Sequence, residues 1–174
     1  RRALFPEGRR KSRQIVTLER EFAYPARGDT CHLYFFGRGL VGYAWVVPKG
    51  DGFVNIGLGG KARYFRKSGT KIHDHFRGFI ADLVRDGRLD AAAAANLEET
   101  GHPYFLYTAA GEVKRDNCFL IGDSAGLATV DLGEGIGPAV ESGLMVAQEI
   151  LGTCTYRKSA ITALSFGGLT GRLM

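Results

Sequence analysis

The sequence predicts an α+β chain: a mainly antiparallel sheet with a helix over residues 15–110, then one strand, a loop and a helix of an α/β layer over 111–151. Three observations carry this. Short runs rich in β-branched and aromatic residues, bounded by Gly, Pro and Asp, recur from Ile15 to Gly60. Between Thr70 and Arg85 the apolar period changes from that of a strand to that of a helix. Further on, the apolar run CFLI ends in Gly122-Asp123 and gives way to a glycine-rich loop and another helical period.

Taken in order, QIVTLEREFAY, CHLYFFG, GYAWVVPK and GFVNIGLGG read as strands. The break PKGDG places Pro, Gly and Asp where a hairpin loop needs them, so VGYAWVVP and GFVNIGLG are expected to pair antiparallel. Ile72, Phe76, Phe79, Ile80, Leu83 and Val84 share one helix face, and Gly87 suits the C-terminal cap. His73 and His75, two positions apart, project from different sides of that helix and are expected at the surface, where they cannot share a metal. DAAAAANLEE extends a second helix, and PYFLYTA is another extended stretch. CFLI, apolar on both faces, fits a strand buried between helices. Val140, Leu144, Ala147 and Leu151 mark a helix from Gly137, with Pro138 in its first turn. One strand and one helix cannot bury each other, so the rest of that layer is expected from sequence outside this chain.

With 174 residues, 45% of them hydrophobic, the chain can build a core. Cys31, Cys118 and Cys154 form no CxxC pair and read as reduced thiols of a cytoplasmic protein, with neither a disulfide framework nor a metal site. No apolar run approaches the ~20 residues that cross a bilayer, so the expected location is cytoplasmic, with peripheral contact at the inner membrane face left open. The net charge of +5 gathers at Arg1, Arg2, Arg9, Arg10, Lys11 and Arg13. Such an arm suits phosphate-bearing partners but reads first as a solvated segment, a basic arm or linker over 1–14. Nucleic acid is not an expected partner, because aromatic and basic residues do not interleave along the strands.

The stretch LIGDSAGLATVDLGEGIGPAVESG, residues 120–143, is the most informative. Asp123 follows the apolar run, where open α/β sheets bind ligands, and its carboxylate accepts sugar hydroxyls. Ser124, Ala125 and Gly126 let backbone approach a ligand closely. Gly133, Gly135 and Gly137 precede a helix whose first N–H groups carry about half a positive charge, suited to an anion or an electron-rich carbonyl. GDSAGLATVDLGEGIGPAVESG closely resembles the second flavin-binding motif of FAD-dependent oxidoreductases of the geranylgeranyl reductase type, relatives of the flavin hydroxylases. The resemblance implies that Asp123 contacts the ribityl and diphosphate region of FAD and that Gly135, Ile136 and Gly137 lie against the pyrimidine end of the flavin. Gly122, Ala125, Gly126, Gly133 and Glu134 complete the implied cofactor-binding set.

A second stretch, LVGYAWVVPKGDGFVNIGLGG, resembles the geranylgeranyl reductase segment PxxYxWxFP followed by a Gly-Asp turn and an Asn-Val-Gly strand. Tyr43, Trp45 and Pro48 match it and are implied as substrate-binding. Leu40 stands where the family often has proline, and Val47 where it has phenylalanine. Read from the residues alone, Tyr43, Trp45 and Val47 share one strand face and make an aromatic wall. The resemblance covers roughly residues 15–151 and implies a substrate-binding sheet over 15–110, the returning part of the FAD domain over 111–151 and the start of a C-terminal helical region over 152–174. The GxGxxG unit of such enzymes is not found, so the chain reads as a fragment, with a partner half that supplies the diphosphate cradle. Alone, it is expected to bind FAD weakly or not at all.

The implied function is oxidoreduction by hydride transfer through flavin N5 on a hydrophobic, isoprenoid or lipid-like substrate, with NAD(P)H or ferredoxin as electron donor. No side chain is singled out as a catalytic acid or base. A flavin monooxygenase or halogenase uses the same Gly-Asp and helix-start devices, and a non-catalytic binding module with a basic arm is the alternative from another class.

Overall fold

A computed structural model of the chain describes residues 13–25, 28–109 and 111–165. The basic arm lies outside the described residues apart from Arg13 and Gln14. Two compact units are present: Ile15–Pro103, and a second formed by Arg13, Gln14 and the described residues from 104 onward.

In the first unit, alternating apolar residues build a sheet with one face for the core. β1 (Gln14–Ala23), β2 (His32–Phe35), β3 (Gly42–Pro48), β4 (Phe53–Lys61) and β5 (Thr100–Phe105) lie in the order β2-β3-β4-β1-β5. β3 and β4 form the expected antiparallel hairpin, closed by a 3-10 turn at Gly50–Gly52, with Trp45 opposite Gly57 and Pro48 opposite Val54. β1 runs antiparallel along the other side of β4, pairing Leu18 with Leu58. Directly paired residues share a face, so Leu18, Ala44, Val54, Ile56 and Leu58 all point into one core.

Helices α1 (Ala62–Ser68), α2 (Ile72–Arg85) and α3 (Ala91–Ala95) follow, and α2 drives Phe76, Phe79, Ile80 and Leu83 into that core. The seven residues of α1 are too few to display a helical period in the sequence. Past the last turn of α2, Gly87 adopts φ 66°, its N–H meets Val84 O at 3.1 Å and the N–H of Arg88 meets Leu83 O at 2.8 Å. Those two bonds satisfy carbonyls that a helix end otherwise leaves open. His73 is exposed and pairs with Glu99 at 2.8 Å. His75 departs from its expected surface position: four residues before Phe79, it lies on the inward stripe, its ring 5.8 Å from that of Phe65 and its Nε2 buried.

The second unit is organised around α4 (Gly122–Ala125) and α5 (Ile136–Ile150), with a short antiparallel ribbon of β6 (Lys114–Arg115) and β7 (Cys118–Phe119). The expected buried strand CFLI is thus reduced to two paired residues; Leu120 is buried, while Cys118 and Ile121 are exposed. No further strand lies beside β7 among the described residues of this unit to sandwich it. α5 forms as expected, but its apolar stripe faces outward, with Val140 59%, Leu144 62% and Leu151 77% exposed. The small residues Pro138 and Ser142 turn inward instead. The reason is steric: a Cβ on Gly122 would stand 3.1 Å from Ala139 Cβ, so the helix face against α4 admits no bulk. Residues 154–165 run as a strap with one 3-10 turn at Lys158–Ala160, where a helical region was expected, and residues 166–174 lie outside the described set. Among the described residues no helix is long and apolar enough to cross a membrane, and no cluster of His, Cys, Asp and Glu could hold a metal ion.

Two measurements follow from the first unit. Phe76 is 2% exposed, and Phe76→Ala is expected to lower unfolding stability by about 3–5 kcal/mol in denaturant titration, whereas Phe36→Ala, at a residue 72% exposed, is expected to change it by less than about 0.5 kcal/mol. Hydrogen bonds from Arg38 hold the Asp82 carboxyl down at about 2, against partial burial and with help from Arg85. A depressed folded value means that the contribution of Asp82 is complete above its unfolded value near pH ~4 and is lost as pH falls toward 2. Acid unfolding of Asp82→Asn is expected to lack that component.

Candidate functional site

The Gly-Asp turn and the glycine-rich helix start meet in the second unit. Gly122 begins α4 with φ 50°, and its N–H donates to Ser142 Oγ at 3.1 Å. Ser142, fully buried, donates in turn to Ala139 O at 3.0 Å, which fixes α4 against the second turn of α5. Asp123 follows in the exposed first turn of α4, and its backbone carbonyl accepts the N–H of the left-handed Gly126 at 3.0 Å. Across from it stands Gly135, the N-cap of α5, where a Cβ would lie 3.2 Å from Asp123 Oδ1. A side chain at that position would therefore crowd the carboxylate, so the glycine keeps Asp123 and the start of α5 side by side.

All nine residues singled out as cofactor-binding lie in these two segments: Gly122, Asp123, Ala125 and Gly126 in and after α4, and Gly133, Glu134, Gly135, Ile136 and Gly137 around the start of α5. Ala125 and Gly126 are buried, whereas Asp123, Ile136 and Gly137 are exposed. One detail was not anticipated. Glu134 Oε1 accepts the N–H of Gly137 at 2.7 Å, so one of the helix's first donors already has an acidic cap.

Residues that the sequence reading passed over hold this arrangement. Thr129, 1% exposed, accepts the N–H of Glu134 on Oγ1 at 3.0 Å, while its own N–H reaches Glu134 O at 2.8 Å. The strap supports the loop from behind: Val130 N–H donates to Ala163 O at 3.0 Å, and Ser165 N–H donates to Asp131 Oδ1 at 3.0 Å. Lys158, almost fully buried, donates from Nζ to Ala125 O at 2.8 Å. Tyr156 donates to Leu120 O at 2.8 Å, and burial pushes its phenol up to about 12. Glu149 receives Lys114 and the N–H of Tyr156, and both hold its carboxyl below the usual range. These contacts come from a segment without apolar periodicity, so no sequence pattern announces them.

The implied substrate residues lie in the first unit and divide between the two faces of its sheet. Tyr43 and Trp45 stand side by side on the face turned away from α2, their ring centroids 5.8 Å apart, with Phe35 5.6 Å beyond Tyr43. Trp45 lies flat over Gly57, where a Cβ would come within 2.3 Å of its ring, and its Nε1 donates to Asn55 Oδ1 at 2.7 Å. Leu33, Phe35 and Phe53 leave the wall's surroundings apolar and exposed. Pro48 is not part of the wall; paired with buried Val54, it belongs to the inner face.

The donor set fits a flavin at its ribityl and pyrimidine end: an exposed carboxylate, a neighbouring glycine cradle and a helix start. No family model matches the chain. Among curated relatives, the digeranylgeranylglycerophospholipid reductase 3 of Methanosphaera stadtmanae is 32% identical over 118 residues, covering 66% of this chain and 27% of the relative. The menaquinone reductase of Mycolicibacterium smegmatis is 33% identical over 117 residues, covering 64% of this chain and 27% of the relative. The chain thus spans about a quarter of the length of the relatives it matches. Among solved structures, a geranylgeranyl bacteriochlorophyll reductase-like protein from Thermoplasma acidophilum superposes with TM-score 0.63 at 21% identity, covering 85% of this chain and 37% of that one. A flavoprotein/dehydrogenase from Cytophaga hutchinsonii superposes with TM-score 0.51 at 17% identity, covering 97% of this chain and 40% of that one. The reductase relatives and the shared fold agree with the two motifs: the chain is similar to geranylgeranyl reductase-like FAD-dependent oxidoreductases.

Proposed function

We propose that the protein carrying this chain is an FAD-dependent reductase that saturates a carbon–carbon double bond in a hydrophobic, isoprenoid or lipid-like substrate. The observation that carries this reading is the exposed Asp123 carboxylate beside the glycine start of α5, within the family's motif. Asp123 and the start of α5 would hold FAD, which once reduced by an electron donor would supply hydride chemistry at N5, the second alkene carbon taking its proton from solvent.

The chain's own residues bind and orient. Asp123 accepts hydroxyls of the ribityl chain, and the start of α5 stabilises negative charge on the reduced ring. The Gly137 amide, now capped by Glu134, would be available to the flavin on exchange of that cap, and Lys158 and Thr129 hold the loop that presents it. Tyr43 and Trp45 give an extended apolar surface of the kind a polyprenyl chain packs on. The outward stripe of α5, Val140, Leu144 and Leu151, is where the diphosphate-binding half of the flavin domain docks. NAD(P)H or ferredoxin returns electrons to the flavin, and the absence of a membrane-spanning helix among the described residues is compatible with a peripheral approach to lipid.

The longer protein that carries this chain together with a diphosphate-binding half is expected to retain FAD in a 1:1 ratio, and Asp123→Ala is expected to lower that retention at least about tenfold with circular dichroism unchanged. A longer protein that takes up no flavin, or one indifferent to Asp123→Ala, would contradict the assignment. Trp45→Ala is expected to raise KM for a polyprenyl substrate by about tenfold or more while FAD retention stays the same.

A further inference from the structure

A cavity of about 150 Å³ lies in the first unit between α2 and the inner face of the sheet, on the side opposite Tyr43 and Trp45. Leu40, Ala44, Leu58 and Phe79 make its walls apolar. Two polar atoms of lining residues, Tyr34 Oη and His75 Nε2, are nevertheless buried without a hydrogen-bond partner among the described residues. Such atoms destabilise a fold unless something pairs with them, and phenylalanine at either position would remove the cost.

The mouth of the cavity shows a second departure from the cheapest design. Arg38 donates from Nε and Nη2 to the two carboxylate oxygens of Asp82 at 2.6 and 2.7 Å. To place it there, Phe36 and Arg38 adopt left-handed backbone at φ 56° and 52°, which costs energy for residues with side chains. The side chain crosses α2 at Gly78, where a Cβ would lie 3.0 Å from Arg38 Cδ. A glycine within a helix is unfavourable, and here it lets the arginine pass. Arg85 bonds both Asp82 and Asp86, so the four charges at the mouth cancel and both guanidinium groups are engaged.

We propose that this cavity is a binding site for a neutral, ring-sized alcohol, a phenol or cyclic alcohol, whose ring packs on Leu58 and Phe79 and whose hydroxyl pairs with Tyr34 Oη and His75 Nε2. The size fits one six-membered ring, since an apolar cavity of roughly 150 Å³ accommodates benzene. The polar pair fits a hydroxyl, which donates and accepts at once: the tyrosine oxygen does both, and the imidazole nitrogen does either according to its tautomer. An anionic ligand would find its cations already paired. The site lies on the opposite sheet face from the aromatic wall and is independent of the reductase reading.

Phenol, benzene and benzoate, each titrated into the full chain by calorimetry, test the assignment. Phenol is expected to bind 1:1 and roughly five- to tenfold more tightly than benzene, with benzoate weaker than both. Tyr34→Phe, which keeps the ring and removes only the hydroxyl, is expected to abolish the preference for phenol over benzene, and Ala44→Phe, which fills the space, to abolish binding of both. Absence of phenol binding, equal affinity for phenol and benzene, a preference that survives Tyr34→Phe, or preferential binding of benzoate would overturn it.

Discussion

The second unit depends on one buried hydrogen bond, from the N–H of Gly122 to Ser142 Oγ at 3.1 Å. It ties the turn after β7 to the second turn of α5, and the contact is close: a Cβ on Gly122 would stand 3.1 Å from Ala139 Cβ. Because α4 is held there, Asp123 emerges beside Gly135, and the carboxylate and the helix start form one surface. The outward apolar stripe of α5 follows from the same constraint: a helix that must present small residues to α4 carries its bulk on the other side.

Much of this was legible because it rests on local chemistry. The β3–β4 hairpin was written in PKGDG, and α2 in the spacing of Phe76, Phe79, Ile80 and Leu83. The proximity of the singled-out glycines and Asp123 was legible for a different reason: in fixed order they form a motif, and the structure brings them together. What could not be read was set by tertiary partners. CFLI is apolar enough for a buried strand, yet a strand needs neighbours to pair with, and only Cys118 and Phe119 find one among the described residues. His75 looks polar in sequence and turns inward because its helix position outweighs its chemistry. Pro48 shares the motif of Tyr43 and Trp45 but lies on the other face of the sheet, since a one-residue step along a strand reverses direction. The supports from Thr129, Tyr156 and Lys158 depend on a strap whose path no periodicity reveals.

The five-stranded sheet works on both faces. Outward, Trp45 over Gly57 makes a flat aromatic surface that a bulkier residue in β4 would destroy. Inward, the core of the unit is apolar throughout except where Tyr34 and His75 leave polar atoms unpaired beneath a strained arginine loop. Unsatisfied atoms, positive φ values and a helix glycine meet at this one place, and it is their coincidence that motivates the proposed ligand.

Amide shift mapping with FAD tests the flavin assignment most directly. In a uniformly labelled chain at saturating FAD, alone or with the diphosphate-binding half of a family member, the largest perturbations are expected at Gly122–Gly126 and at Gly133–Ala139, including release of the Gly137 amide from Glu134. Perturbations confined to the first unit, or a Gly137 amide unchanged while FAD is bound, would contradict it.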